Sequence, residues 1–135
     1  MGEIPGLNMI RVKEGAMAKI DSFNFGFIVV DDKQYSQDVI ILPDGTVKER
    51  TSGKGRLGSH SIARSEMETL AKSQPDVILI GTGVQGMARL ARDAEFYLME
   101  PDLNVTMMPS PQVVQKYNQH IEDGEKVAAL IHVTC

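Results

Sequence analysis

The feature that most constrains the fold is a short, uninterrupted apolar run, Val77–Ile80, that stands between two helix-like stretches. Such a run is typical of a strand that is buried on both faces, as in a parallel sheet. Leu103–Met108 and Lys126–Val133 repeat the strand-like character further along the chain. Helices between successive strands predict right-handed crossovers in an at least partly parallel sheet. We therefore expect Val77–Ile80 and Leu103–Met108 to be neighbouring parallel strands.

Three amphipathic stretches are predicted to form helices. Ser65, with Glu68 three residues later, predicts a capping box at the start of the first helix. Ser110 is predicted to cap the third helix, with Pro111 at its first position, and Gly124 ends that helix. The apolar stripes are Met67, Leu70 and Ala71 in the first helix, Leu90, Ala94, Tyr97 and Leu98 in the second, and Val113, Val114, Tyr117 and Ile121 in the third.

The sequence before residue 60 is rich in strand-forming residues instead. Phe25–Val30, Tyr35–Leu42 and Val47–Thr51 read as strands, with turns at Asp31–Asp32 and Pro43–Thr46. This order predicts an antiparallel β-meander ahead of the helix-joined strands. The 135 residues contain no repeat and no linker-like stretch, so one α/β domain over residues 1–135 is expected.

Composition excludes some classes of function. The net charge of −4 argues against a nucleic-acid binder, which would carry a basic excess. A local exception is Lys48–Arg56, where Lys48, Arg50, Lys54 and Arg56 surround small residues. Such a run is typical of a solvated loop, and contact with an anion is the alternative.

The only cysteine is Cys135, so no intramolecular disulfide is possible, which fits a reducing compartment. No signal-like segment is visible, and the longest apolar runs have the length of strands, far short of a membrane span. We therefore expect a cytoplasmic protein with no membrane and no nucleic-acid partner.

A glycine loop, Gly81–Gly86, follows the first buried strand and is predicted to open a helix. It matches the spacing of the dinucleotide fingerprint, in which helix N-terminal amides hold a phosphate. The next strand ends at Met108–Ser110 without the carboxylate that the fingerprint needs, so no NAD or FAD is expected. Two alternatives remain: a small anionic ligand at this edge, or a tight turn without a ligand. The candidate ligand-binding residues are Gly81, Thr82, Gly83, Gln85, Gly86 and Ser110.

Few residues could act as soft metal ligands or nucleophiles. His132 and Cys135 are separated by two residues, and only His60 could join them, so a four-ligand zinc site is not expected. Cys135 is predicted to be mobile and not an essential nucleophile. Tyr117 and Asn118 could face a cleft, although Tyr117 also fits the apolar stripe of its helix. The secondary candidates are thus His60, Arg56, Tyr117, Asn118, His132 and Cys135.

Four segments together resemble one known family: Pro75–Gly83, Tyr117–Asn118, Gly58–His60, and a tail with Val127, His132 and Cys135. They resemble the Mth nine-three-eight domain family, which includes the human adipogenesis-associated Mth-domain protein and a mitochondrial complex I assembly factor. The resemblance implies a three-layer α/β fold with a mixed central sheet and an added β-layer. It implies no agreed catalytic activity, and the eukaryotic relatives look like interaction or assembly proteins.

The leading hypothesis is a non-catalytic binding or scaffold domain that acts through protein contacts. The alternatives are a small anion- or nucleotide-binding domain at Gly81–Gly86 and an enzyme that uses the same edge. No catalytic residue, metal or cofactor is assigned. We expect the contact surface to include the strand-rich half, where Lys33, Lys48, Glu49 and Arg50 would blunt an open strand edge. A homodimer through that half is predicted, with a monomer as the alternative.

Overall fold

The computed structural model describes residues 17–50, 60–100 and 102–135. No helix within these ranges is long and apolar enough to cross a lipid bilayer. Along the chain the elements are β1 (Ile20–Asn24), β2 (Phe27–Val30), β3 (Lys33–Tyr35), β4 (Val39–Ile41), β5 (Val47–Glu49), β6 (Ser61–Ile62), α1 (Arg64–Lys72), β7 (Val77–Gly81), β8 (Arg89–Leu90), α2 (Arg92–Tyr97), β9 (Val105–Met108), α3 (Ser110–Glu122) and β10 (Val127–Ile131).

The central layer is a five-stranded mixed sheet in the order β5-β4-β10-β7-β9. β7 is parallel to both of its neighbours, β10 and β9, while β4 is antiparallel to β10 and to β5. Ile78 lies opposite Val105, and Gly81 lies opposite Met108. The prediction that the two apolar segments form neighbouring parallel strands is therefore confirmed.

Both faces of this sheet are buried, as the apolar run of β7 predicts. Val77 and Leu79 point into a core with α3 and the first strands, whereas Ile78 and Ile80 point into a second core with α1 and α2. A separate three-stranded sheet, β1-β2-β3, covers the first face beside α3. The short parallel pair β6-β8 lies near α1 and α2. The three-layer α/β class with a mixed central sheet is thus what the chain adopts.

The predicted meander is divided between two sheets. The expected strand Tyr35–Leu42 is two short strands, because β3 pairs with β2 whereas β4 leaves that sheet and pairs with β10. β1 was not predicted, since most of its side chains are polar and exposed. The turn at Asp31 and Asp32 is confirmed, and both residues have a positive φ, as in a tight hairpin. The choice of sheet depends on long-range pairing, which local strand propensity does not encode.

Two predicted helix starts are displaced. Ala63 precedes α1, and its N–H donates to the Glu66 carboxylate at 2.9 Å, so Ser65 does not cap this helix. Pro109 precedes α3, and Ser110 is already helical, so its hydroxyl makes no cap hydrogen bond and enters a tertiary contact instead. The glycine loop does not open a helix either, because β8 intervenes before α2 begins at Arg92. Local pattern thus places these helices correctly along the chain but misassigns the groups at their ends.

Candidate functional site

The glycine loop and the end of the sequence meet at the carboxyl edge of the central sheet. β7 and β10 are parallel neighbours, so the segments that follow them leave the sheet side by side. The Val84 N–H donates to the Thr134 carbonyl at 2.7 Å, and the Met87 N–H donates to the Cys135 carbonyl at 2.8 Å. The backbone at Cys135 is therefore held by the loop, which differs from the mobile thiol that the sequence suggested.

The amides of Thr82, Gly83, Val84 and Gly86 in this loop are hydrogen-bonded within the protein. The Gly83 N–H donates to Ser110 Oγ at 2.8 Å, and the Ser110 hydroxyl in turn donates to the His132 carbonyl at 2.6 Å. The Thr82 N–H donates to the Met108 carbonyl, and the Gly86 N–H to the Gly83 carbonyl. Donors that would have to face an anion are thus used to join the loop to α3 and β10. This geometry gives the anion hypothesis no support.

The close contacts explain the glycines instead. A Cβ on Gly81 would lie 2.7 Å from Ser110 Oγ. A Cβ on Gly83 would lie 2.4 Å from the carbonyl carbon of Cys135, and Gly83 also has a φ of +107°. Thr82 is buried, while Gln85 is exposed. These contacts favour the alternative that the loop is a tight turn without a ligand.

Behind the loop lies a chain of buried charges. Asp38 Oδ2 is 2.7 Å from His132 Nδ1 and 2.7 Å from Arg50 Nη1, while Asp38 Oδ1 accepts the Val133 N–H at 2.9 Å. Arg50 also donates to both carboxylate oxygens of Glu66. All four ionisable side chains are buried. We call Asp38, Arg50, Glu66 and His132 the buried charge network.

The network shifts the pKa values of Asp38 and Arg50. Burial alone would raise the pKa of Asp38, but hydrogen bonds from His132, the Val133 N–H and Arg50 outweigh it and lower that pKa below its usual value. Burial alone would lower the pKa of Arg50, but Glu66 and Asp38 outweigh it and raise that pKa.

The expectation that Arg50 is a surface charge beside an open strand edge is wrong. Arg56 and most of the basic stretch lie outside the described residues.

Three sequence candidates, His60, His132 and Cys135, come together here. The two imidazole rings meet edge to face with centroids 5.0 Å apart, and Cys135 Sγ is 3.5 Å from His60 Nε2. Both nitrogens of His132 have protein partners, Asp38 at Nδ1 and Thr134 Oγ1 at Nε2, the latter at 3.2 Å. Among the described residues, no group of three or more His, Cys, Asp or Glu is arranged to hold a metal ion.

Tyr117 and Asn118 lie elsewhere and have structural contacts. Tyr117 is fully buried and its hydroxyl donates to the Ala18 carbonyl at 2.6 Å, so it lies in the core as its place in the apolar stripe predicts. The Asn118 side chain accepts the Ile20 N–H and donates to the Ile20 carbonyl. Together they attach the start of β1 to α3.

Surface cavities lined by described residues include two that contain none of the predicted site residues. One, of about 490 Å³, lies at the opposite edge of the sheet between Leu42, Ile121 and Lys126. The other is a shallow cavity of about 380 Å³ on the outer side of α2, lined by Arg92, Glu95, Phe96 and Met99. Phe96 is 65% exposed and Met99 is 75% exposed. We call Arg92, Glu95, Phe96 and Met99 the α2 face.

Sequence reasoning missed the α2 face. The apolar stripe of this helix was assigned to its core side, where Ala94 is buried. Positions 92, 95, 96 and 99 have the helical spacing of a second, opposite stripe. Two large apolar residues on that second stripe were the signal that could have identified it.

Comparison with known proteins gives a consistent set of matches. A model of the family described as "Protein of unknown function (DUF498/DUF598)" matches residues 20–132. The solved structure named MT938 is 30% identical with a TM-score of 0.71, and the match covers 87% of this chain and 99% of that one. A conserved hypothetical protein, PH1505 from Pyrococcus horikoshii OT3, is also 30% identical, with a TM-score of 0.73 and the same coverage. A Mth938-like domain from Bordetella pertussis is 18% identical with a TM-score of 0.66 over 87% of each chain, a likeness of fold.

Proposed function

Because this chain belongs to the DUF498/DUF598 family of Mth938-like domains, whose description assigns no biochemical function, we propose a function from its own surface. In this proposal the chain is a non-catalytic domain that binds a protein partner through the α2 face. We place this activity in the cytoplasm, a reducing compartment that suits a chain with a single cysteine.

The observation that carries this proposal is the pairing of Phe96 and Met99 on one exposed surface. Single exposed apolar residues are common and need no explanation, but contiguous ones rimmed by charges are typical of contact sites. Phe96 and Met99 line the same shallow cavity, with Arg92 and Glu95 beside them. Aromatic residues and methionine are enriched at protein interfaces, and methionine adapts readily to a partner's shape.

The burial of Asp38, Arg50 and His132 in the buried charge network argues against a catalytic role for these three side chains. His132 is fully buried and hydrogen-bonded at both ring nitrogens. Asp38 and Arg50 face each other inside the fold, and both are buried. A catalytic acid or base must reach the substrate's proton directly or through one water. These groups instead hold the fold together around the loop and β10.

The strand-rich half is the other surface to be tested. Phe25, at the turn between β1 and β2, is 61% exposed, close to the value for Phe96. Phe25 is not among the residues that line the cavity on the α2 face, whereas Phe96 lines that cavity together with Met99. Phe25 is therefore the matched control for an exposed phenylalanine that lies outside the proposed contact surface.

Photo-crosslinking in cells tests the proposal directly. A benzophenone amino acid in place of Met99 should give a defined covalent adduct with one protein, and Phe96→Ser in the same chain should reduce its yield at least about tenfold, since interface anchors contribute most of the binding energy. The same probe in place of Phe25 should give no adduct of comparable yield. Equal yields at positions 25 and 99, or an adduct indifferent to Phe96→Ser, would contradict a contact function for the α2 face.

A further inference from the structure

We propose that a second copy of this chain pairs with the open edge of the central sheet, β9 against β9, about a two-fold axis at Thr106. β9 ends the five-stranded sheet, and within the described residues no strand pairs with its far side. This inference goes beyond the proposed partner contact at the α2 face, because it concerns another element and another occupant. It also differs from the homodimer that the sequence suggested, which was expected to form through the strand-rich half.

β9 lacks the charged side chains that the other sheet edges carry. The strands that end the five-stranded and three-stranded sheets are β5, β9, β1 and β3. β5 contains Lys48 and Glu49, β1 contains Asp21, and β3 contains Lys33. β9 is made of Val, Thr and Met, and Met107 is 37% exposed. Because charges and prolines are common means of keeping an edge strand from pairing, β9 is the edge best suited to accept another strand.

The hydrogen bonds that β9 makes with its neighbour determine which backbone groups face outward. The carbonyls of Asn104 and Met108 accept N–H donors from β7 and the residue after it, at 2.8 and 3.0 Å. In a parallel pair, successive residues of a strand alternate between bonding the neighbouring strand and pointing away from it. The N–H and C=O groups of Val105 and Met107 therefore point away from β7, toward the open edge.

These outward groups select one self-complementary register. When two antiparallel copies meet with Thr106 opposite Thr106, Val105 of each copy lies opposite Met107 of the other, and each such pair exchanges its N–H and C=O bonds. A register centred one residue away would instead use Leu103 or Pro109. The Leu103 N–H already donates to a carbonyl three residues earlier, and proline has no N–H. The edge thus matches its own two-fold copy when the axis passes through Thr106.

The side chains at this contact are compatible with self-pairing. The segment 104–110 contains no ionisable side chain, so no like charges would lie opposite each other there. Directly opposed threonines, as at Thr106, are among the pairs that stabilise an antiparallel sheet. On the other face, Val105 packs against the core beside α1 and α2. Met107 of the second copy would extend that packing and lose its exposure to solvent.

The size of the edge indicates the strength of the dimer. A stable interface buries about 800 Å² on each partner, and pairing along a strand of 4 residues supplies less than that. We therefore expect a reversible dimer with a dissociation constant on the order of 10 to 100 µM.

Opposite charges at Thr106 test the two-fold register. Analytical ultracentrifugation of the full chain should show a monomer–dimer equilibrium that Thr106→Lys or Thr106→Glu alone weakens by at least about tenfold, because each places like charges directly opposite each other. An equimolar mixture of the two variants should associate within about threefold of the wild type, because opposite charges then meet at the axis. A purely structural role of Thr106 would not produce this recovery, so a mixture that associates no better than either variant alone overturns the register.

A control and a measurement on the wild type complete the test. Gln34→Lys adds a charge to β3, the end of the three-stranded sheet, and should leave the equilibrium unchanged. Thermal unfolding shows whether each variant folds. If the Thr106 variants do not fold, hydrogen exchange of the wild type decides: the amides of Val105 and Met107 should exchange at least about threefold faster at about 10 µM than at about 500 µM protein, because the fraction of monomer rises on dilution.

Two results on the unmodified sequence would exclude the second copy. One is a wild type that is strictly monomeric at about 500 µM, well above the expected dissociation constant. The other is exchange of the Val105 and Met107 amides that does not depend on protein concentration. A benzophenone amino acid in place of Met107 that links only to a different protein would likewise overturn the proposal and assign the edge to a strand from that protein.

Discussion

Gly83 lies where the loop after β7 touches the residues that follow β10. The space that a Cβ would need is taken by the backbone of Cys135 and by His132 Cδ2, which would lie 2.7 Å from that Cβ. Its amide is bonded to Ser110 Oγ and its carbonyl accepts the Ser110 N–H at 2.9 Å. The residue therefore joins three segments through its backbone, and the absence of a side chain permits all three contacts together.

We expect Gly83→Ala to lower the free energy of unfolding by about 3 kcal/mol or more, since it combines a positive φ with a clash against the backbone. Gly124→Ala is the matched control, because Gly124 also has a positive φ, +80°, but has no atom within 4 Å of a built Cβ. That change should cost about 1 kcal/mol. Urea denaturation measures both, and equal costs would show that the close packing at Gly83 does not constrain the fold.

At the scale of elements, the buried charge network joins parts that are far apart in the sequence. Asp38 precedes β4, Arg50 follows β5, Glu66 lies in the first turn of α1, and His132 follows β10. Arg50 contacts both carboxylates, so one guanidinium connects the end of the sheet to α1. A buried pair of this kind costs desolvation, but removing one partner leaves an uncompensated charge.

Asp38→Asn should therefore lower the free energy of unfolding at pH 7 by about 3 kcal/mol, because Arg50 and His132 lose a charged acceptor. Glu68→Gln, which removes the exposed pair with Arg64, is the control and should cost less than about 0.5 kcal/mol. The lowered pKa of Asp38 also sets the sign of a pH effect. Its contribution is present above the unfolded-state pKa and is lost as the pH falls through the folded-state pKa.

The free energy of unfolding should be measured by denaturation at several pH values between 3 and 7, a range chosen to span roughly the unfolded-state pKa of an aspartate. It should fall more steeply toward acid pH for the wild type than for Asp38→Asn. An equal dependence of that free energy on pH in the two proteins would mean that the Asp38 carboxylate has the same pKa in the folded and unfolded states.

At the scale of the molecule, β7 and β10 lie at the centre of all three layers. All five residues of each strand are buried, and each strand is paired on both sides. The sheet β1-β2-β3 is the more exposed layer, and most residues of β1 face solvent. Stability should therefore decrease from the central strands toward that sheet.

Hydrogen exchange followed by NMR tests this order. The amides of β7 and β10 should exchange only through global unfolding, whereas those of β1 and β3 should exchange through local opening at least about tenfold faster. Uniform protection across both sheets would indicate that the two layers unfold as one unit. The Phe96→Ser variant should keep the same pattern, because Phe96 lies outside both cores.

Local pattern was sufficient for the central part of this fold. The apolar run in β7 predicted burial on both faces and a parallel neighbour, because consecutive apolar residues in one strand point to opposite faces of the sheet. The resemblance to the family came from segments of the same kind. Helix positions were also predicted, although α1 and α3 begin one or two residues before the predicted starts and α2 begins only after β8, not at the glycine loop.

Only the tertiary structure decided which contacts Arg50 and Gly83 make and which side of α2 is left exposed. Arg50 reads as a surface charge because the sequence does not show that Asp38 and Glu66 converge on it. The sequence leaves anion binding and a tight turn as alternatives for Gly83, and the close approach of the tail at Cys135 favours the tight turn. Phe96 reads as an ordinary helical residue until Ala94 is buried and the opposite side is left exposed. Each outcome depends on distances between residues far apart in the chain, and residue type and spacing alone do not specify those distances.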